Sequence, residues 1–261
     1  MRYFKLYLYF LRFAFSRAME FRVDFFFRVI MDGVFYLTQF FFFNIIYLHT
    51  PALGGWNIDQ MKLFIASYIF VDAFHMTFFA NNSWWFPIAI NRGELDYYLT
   101  RPASSFFFLA FKEFAANSLL NLILATGILA YHINIYPSPL TPSKIFVYIL
   151  FLINGAFLYY MTFMIFLMSV FWSQSPRGFS DVFYAAEKVF QRPDGIFQNY
   201  IRRFFLTILP FSIMASYPVK YLIEDNITPI VGQIIGASLF IYLIIFILWK
   251  KGLRDYSSAS S

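Results

Sequence analysis

The chain contains no cysteine. That absence excludes a disulfide framework, a thiolate metal site and a C-x-x-C redox centre, and it leaves the compartment unreadable from sulfur. Charge is scarce as well. Asp, Glu, Lys and Arg make up 13% of the 261 residues, against about 25% in soluble domains. No Gly-rich loop ends in Gly-Lys-Ser or Gly-Lys-Thr, and no G-x-G-x-x-G is present, so the sequence offers no nucleotide site of its own. No G-x-S-x-G elbow is present either. His49, His75 and His132 are scattered and form no H-x-x-x-H pair, which argues against a metal site. With no convergent catalytic set, the chain reads as a protein that is not an enzyme.

What fills the chain instead is apolar. It is 60% hydrophobic and 24% aromatic, with a mean hydropathy of +0.61. A soluble fold of this composition would expose large apolar patches in any arrangement. The sequence is that of an integral membrane protein. No cleavable leader is expected, because basic charge recurs through Arg22 and no small-residue cleavage site follows a short apolar core. The net charge of +6 is read as topological rather than as a nucleic-acid signal.

Residues 1–22 are expected to lie on the membrane. Arg2, Lys5, Tyr9, Arg12, Ser16 and Glu20 fall on one helical face, and Phe and Leu residues fill the rest. That is an interfacial amphipathic helix. A first span starting here would bury Arg2, Lys5, Arg12, Arg17 and Arg22, each at about 2.5–3.5 kcal/mol at the bilayer centre. A helical span needs about 20 apolar residues. Six segments qualify: 25–48, 63–86, 104–131, 144–172, 200–222 and 230–249. Their length and lack of alternation favour helices over barrel strands. The expected fold is one all-α transmembrane domain over 1–261, an interfacial helix followed by six transmembrane helices. With these boundaries all but three of the 20 Lys and Arg residues, the exceptions being Lys62, Lys144 and Lys220, fall on one side. That side is cytoplasmic. Both termini, the loop 87–103 and the segment 173–199 are placed there. Within 173–199, Asp181, Tyr184, Lys188 and Gln191 share a face opposite Phe183 and Phe190, which predicts an amphipathic surface helix.

Polar residues inside spans are expensive. Asp72 and His75 stand at i, i+3 and can pair on one face. Glu113, Asn117 and Asn121 form an i, i+4, i+8 stripe, and Asp32, Asn154 and Thr162 are further candidates. Such groups line a translocation path, hold a subunit interface, or simply bond neighbouring helices within the chain. Glu113 can also pair with Lys112 or Arg101 near the surface.

The stretch from Pro87 to Ser105 interrupts two apolar blocks with Arg92, Glu94, Asp96 and Arg101. Pro87 is expected to end the second span. Asn91 and Glu94 have capping-box spacing. Leu95, Tyr98 and Leu99 at i, i+3, i+4 then give a short amphipathic helix of about nine residues, stopped at Arg101-Pro102. A capped, charged helix between spans is shaped to sit in a groove of a soluble partner.

Three stretches carry a family resemblance. Asn91-Arg92-Gly93-Glu94-Leu95-Asp96-Tyr97-Tyr98-Leu99-Thr100-Arg101-Pro102 is similar to a G-E-L-D-x-x-L-x-R-P segment. Arg192-Pro193 is followed by Ile196-Phe197 and later Ile208-Leu209-Pro210. The tail from Trp249 to Ser260 is similar to an ending W-x-x-G-L-x-x-Y-x-S-A-S. In this order they resemble the permease subunits of ABC-2 type ABC transporters, in a six-span branch. The resemblance implies a permease paired with a second permease copy or homologue and with two copies of an ATP-binding subunit. It implies no cofactor on this chain, with ATP and Mg bound by the partner ATPase, and export rather than import. The implied location is the inner (cytoplasmic) membrane, among lipids and away from nucleic acid. Asn91, Arg92, Gly93, Glu94, Leu95, Asp96, Tyr98 and Leu99 are then the expected coupling surface. Asp72, His75, Glu113, Asn117 and Asn121 are the candidate path or interface residues. The alternative is a partner-independent secondary transporter or channel, which would use Asp72 and Glu113 near the midplane. A membrane-embedded enzyme or a scaffold is a third class, and the former lacks any convergent catalytic set.

Overall fold

In lipid every backbone N–H and C=O must be paired within the protein, so apolar runs of this length fold as helices. A computed structural model describes residues 2–18, 22–101, 104–173, 175, 177–188, 190–197, 200, 204, 206 and 209–256. Among these the regular structure is helical, apart from an isolated bridge between Leu53 and Trp56. The protein is an all-α membrane protein. In chain order the helices are α1 (Arg2–Ala18), α2 (Arg22–Tyr47), α3 (Ile58–Phe78), α4 (Ala80–Asn91), α5 (Leu95–Leu99), α6 (Ser105–Phe111), α7 (Leu119–Asn134), α8 (Pro142–Leu167), α9 (Val170–Ser173), α10 (Arg177–Glu187), α11 (Phe211–Met214), α12 (Ser216–Ile223) and α13 (Thr228–Asp255). Single 3-10 turns lie at Ala116–Ser118 and Asp194–Ile196.

Four stretches are long and apolar enough to cross a bilayer: Val29–Tyr47, Ile58–Phe78, Pro142–Ser173 and Thr228–Asp255. α8 is the hub. Tyr148, Leu152, Ala156, Tyr160 and Met164 along it are fully buried, and α3, α4, α10, α11, α12 and α13 all pack on it. α2 lies outermost, with only 11% of its span buried in the chain. α1 forms as the amphipathic pattern expects, and it packs Phe10 on Phe108 with ring centroids 5.9 Å apart.

The expected second and third spans are each broken. α3 ends at Phe79 (φ −128°, ψ −30°), and α4 resumes at once with Pro87 inside it, so Pro87 does not end the span. α6 ends at Lys112, and a non-helical stretch leads through the 3-10 turn into α7. The stripe Glu113, Asn117, Asn121 is therefore not on one continuous helix. The two breaks lie against each other and satisfy each other's backbone. Ala115 N–H donates to the Thr77 carbonyl at 2.9 Å. The Asn82 amide donates to Glu113 O at 2.8 Å and accepts from Glu113 N–H at 2.8 Å. Irregular backbone inside a membrane protein survives only with such partners. Asn82→Ala strips both bonds at once. Each bare group costs about 1–3 kcal/mol, and a thermal melt of the purified protein should fall accordingly; an unchanged melt would mean the brace carries no stability.

The largest difference from the sequence-based expectation concerns 173–222. The segment 177–197 is not a surface helix. Phe183 is fully buried and packs on Phe163 and Phe166, at 4.5 and 5.5 Å between centroids. Phe190 meets Tyr159 at 5.6 Å and Tyr68 at 5.0 Å. Gly195 then abuts Gly54, in the turn before α3. The chain thus climbs antiparallel to α8 from the α5 end of the bundle to the opposite end. Backbones touch at Gly54 and Gly195, where neither position has room for a Cβ. The described part of the expected span 200–222 is not one continuous helix. Phe211 sits at mid-depth beside Phe183, Met214 meets Gly155, and Tyr221 meets Phe151 at 5.1 Å. α11 and α12 hold 4 and 8 residues, and at about 1.5 Å per residue neither approaches a 30 Å bilayer core. Hydropathy cannot separate the two cases, because a segment buried in protein is as apolar as one buried in lipid. Arg202, Arg203 and Ile208 lie outside the described residues.

Candidate functional site

Two places combine polar groups in ways that packing alone does not require. The first is α5. Gly93, at φ +72°, ends α4. Its N–H reaches Ile90 O at 3.1 Å, and the Glu94 N–H reaches Ala89 O at 2.9 Å. This bond pair is a Schellman cap. Asn91 is accordingly the last residue of α4, and the Glu94 side chain makes no cap bond. The expected Asn91/Glu94 capping box is corrected: the glycine between them is a stop signal for α4, and only glycine takes that conformation without a Cβ penalty. A true capping box occurs at Asn57 and Gln60, before α3. Glu94→Ala should therefore shift stability by no more than about 0.5 kcal/mol, where a cap would have cost about 1; chemical unfolding distinguishes them.

α5 is five residues long, shorter than expected. Leu95 and Tyr98 face inward, 0% and 6% exposed. Tyr98 stacks on Phe108 at 5.5 Å, and Lys112 Nζ donates to its hydroxyl at 3.1 Å. These two residues anchor the helix to its own bundle. Asn91, Arg92, Leu99 and Arg101 are exposed, Gly93, Glu94 and Asp96 are half-buried, and Tyr97 is 58% exposed. Arg101 covers the Tyr97 ring, 4.2 Å from its centroid. Tyr97 was absent from the expected surface. Its signal was available, since the residue beside an inward Tyr98 on so short a helix must face out. Pro102 and Ala103 lie outside the described residues.

The tail returns to the same end. Trp249 meets Phe106 at 5.3 Å and Phe171 at 5.8 Å, and Gly252 leaves room for the Phe171 ring. Tyr256 is set near Asp96; burial first, and then that carboxylate, push its hydroxyl pKa up. Two of the three motif stretches thus meet around α5. The third, Arg192 to Phe197, is at the opposite end, where Asp194 is fully buried and its carboxylate accepts from Lys220 Nζ at 2.6 Å. Ser257 to Ser260 lie outside the described residues.

The second place is inside the bundle. Asp72 of α3 lies within electrostatic reach of Glu187 on α10 and Asp32 on α2. Three tyrosines surround them. Tyr36 feels both Asp72 and Asp32, Tyr68 meets Gln191, and Tyr159 meets Glu187. The expected Asp72–His75 pair does not form. His75 is buried, and neither ring nitrogen has a hydrogen-bond partner among the described residues. Its ring stands edge-on to Tyr159 at 4.3 Å, while Asp72 keeps the company of other carboxylates. Glu187 was missed because 173–199 was read as lying outside the membrane. Glu113 stays beside Lys112, at 3.9 Å, and is not part of this cluster. The Asn117 side chain is outside the described residues. Asn121 is buried, with Oδ1 unpaired among the described residues. Asn154 bonds Ser238 at 2.8 Å, joining α8 to α13 as an ordinary helix–helix contact. No group of three or more His, Asp or Glu among the described residues is close enough to hold a metal ion.

Broken helices bracing each other, carboxylates and tyrosines gathered between helices, and a short charged helix at one end define a membrane transport subunit. The chain belongs to the ABC-2 family of transporters: the family model described as "ABC-2 family transporter protein" matches residues 34–260. Membrane subunits of this family normally carry no ATPase site and generally pair with ATP-binding subunits. Neither a curated protein nor a solved structure matches the chain.

Proposed function

We propose that the protein is the permease subunit of an ATP-driven exporter in the cytoplasmic membrane, working with two copies of a separate ATP-binding subunit and a second permease. ATP and Mg belong to those partners. The observation that carries this reading is α5: a helix anchored inward by Leu95 and Tyr98 and presenting Arg92, Tyr97, Leu99 and Arg101 outward. An exposed tyrosine and two arginines are residue types that dominate protein contacts, and the exposed Leu99 adds apolar surface beside them. Leu95 and Tyr98 hold the helix in place and do not touch the ATPase. The poorly buried α2 is the natural face for lipid or the second permease. Co-expression with the cognate ATPase tests the reading. The two should co-purify, and vesicles holding both should move cargo only with ATP. ATP-independent movement by the permease alone would sink it.

That last outcome would instead favour a secondary transporter or channel. The intramembrane carboxylates Asp72 and Glu187 and the paired helix breaks give this second reading its footing.

A further inference from the structure

We infer that Asp72 and Glu187, with the tyrosines around them, form a seat for the positively charged group of an amphiphilic organic cation carried as cargo. The inference rests on the permease reading and names the class of its substrate. Asp72 on α3 and Glu187 on α10 lie within electrostatic reach of each other, where Phe190, three residues after Glu187, packs on Tyr68, one turn before Asp72, at 5.0 Å; Asp32 is also within reach of Asp72. Like charges in such a place repel, and a cation between them removes both the repulsion and the desolvation cost. The rings of Tyr36, Tyr68 and Tyr159 lie around the carboxylates, and aromatic faces attract organic cations. Asp72 and Glu187 are each only half-buried, so the seat is reachable from the subunit surface.

A second observation points the same way. His75 is 4% exposed, and both ring nitrogens lack a hydrogen-bond partner among the described residues. Its ring lies against Tyr159, whose hydroxyl meets Glu187. Buried polar atoms without a partner are rare in folded proteins. A hydrogen-bonding group on the cargo would supply one. No group of three or more His, Asp or Glu among the described residues could hold a metal ion, so the seat is read as one for an organic cation. The walls around the site are aromatic.

The test uses two ions of the same shape and opposite charge. Radiolabelled tetraphenylphosphonium should bind the purified full-length permease saturably, and tetraphenylborate should not. Asp72→Asn and Glu187→Gln should each weaken phosphonium binding by about tenfold or more, as loss of a charged partner implies. Glu224→Gln, in an exposed loop, should leave it unchanged. Labelling of wild-type protein with dicyclohexylcarbodiimide needs no variant: phosphonium should protect Asp72 and Glu187, read by mass spectrometry, and borate should not. No saturable phosphonium binding, equal binding of both ions, or unprotected carboxyls would overturn the inference. Failure of the permease reading shows separately, as loss of co-purification with the ATPase, which these measurements do not use.

Discussion

Lys220→Met is expected to lower the stability of the purified protein by about 3–5 kcal/mol, the usual loss when one half of a buried ion pair is removed. Asp194 is fully buried and Lys220 nearly so, with Nζ and Oδ2 2.6 Å apart. The pair ties the top of the 177–197 segment to α12. A second bond reinforces it, from the Asp194 N–H to Ser216 Oγ at 3.2 Å. Methionine keeps the length of the lysine stem and removes only the charge. What it leaves is a carboxylate in an interior that cannot solvate it. The double change Asp194→Asn with Lys220→Met should recover most of the loss, because neither charge then remains. Unfolding curves of the two single variants and the double variant complete the cycle. Equal stability of Lys220→Met and wild type would mean that water already reaches Asp194.

The helical, membrane-embedded class was legible because composition and run length leave no other solution. The helix α1 was legible because its polar residues repeat at helical spacing. The path of 173–222 was not. Phe183 and Phe190 looked like the buried face of a surface helix, and the residues opposite them looked solvated. They are instead the packed face of a segment that runs the depth of the bundle, and Glu187 lies within the depth that hydropathy assigned to water. A run such as 200–222 reads as a span whether its neighbours are lipid or protein. The site was partly legible for the same reason. Asp72 and His75 stood out as costly polar residues within an apolar block. Their neighbours, Glu187, Asp32 and Tyr159, come from other parts of the chain, and periodicity sees only one helix at a time. At α5 the error ran the other way. Asn91 and Glu94 had the right spacing for one signal, and Gly93 between them carried a stronger one.

The geometry also suggests how the two places communicate. α4 holds 12 residues, a rod of about 18 Å, with α5 fixed at one end and the Phe79 break at the other. Phe79 stacks on Tyr160 at 4.8 Å, and His75, one turn before it, touches Tyr159. On the proposed reading a push on α5 would arrive at the break, where the backbone is held by side-chain bonds from Asn82 rather than by a continuous helix. A broken helix can change angle there without losing its regular hydrogen bonds elsewhere.

Leu99→Asp is the sharpest test of that chain of contacts. Leu99 is 47% exposed and borders Tyr97 on the outward side of α5, so the substitution should leave folding within about 0.5 kcal/mol of wild type. At a partner interface the same change places a carboxylate in a groove built for an apolar side chain. Loss of a central contact of this kind costs about 2 kcal/mol or more in affinity, some thirtyfold. ATP-driven transport in vesicles and co-purification with the ATPase should fall together, while the thermal melt of the permease stays put. Leu95→Asp should behave differently, since Leu95 is fully buried against the bundle: it should lower the melt itself, by about 3 kcal/mol or more for a charge forced into the core. The contrast between the two leucines, four residues apart on one short helix, separates contact with a partner from attachment to the fold. Wild-type transport by Leu99→Asp would remove α5 as the point of contact.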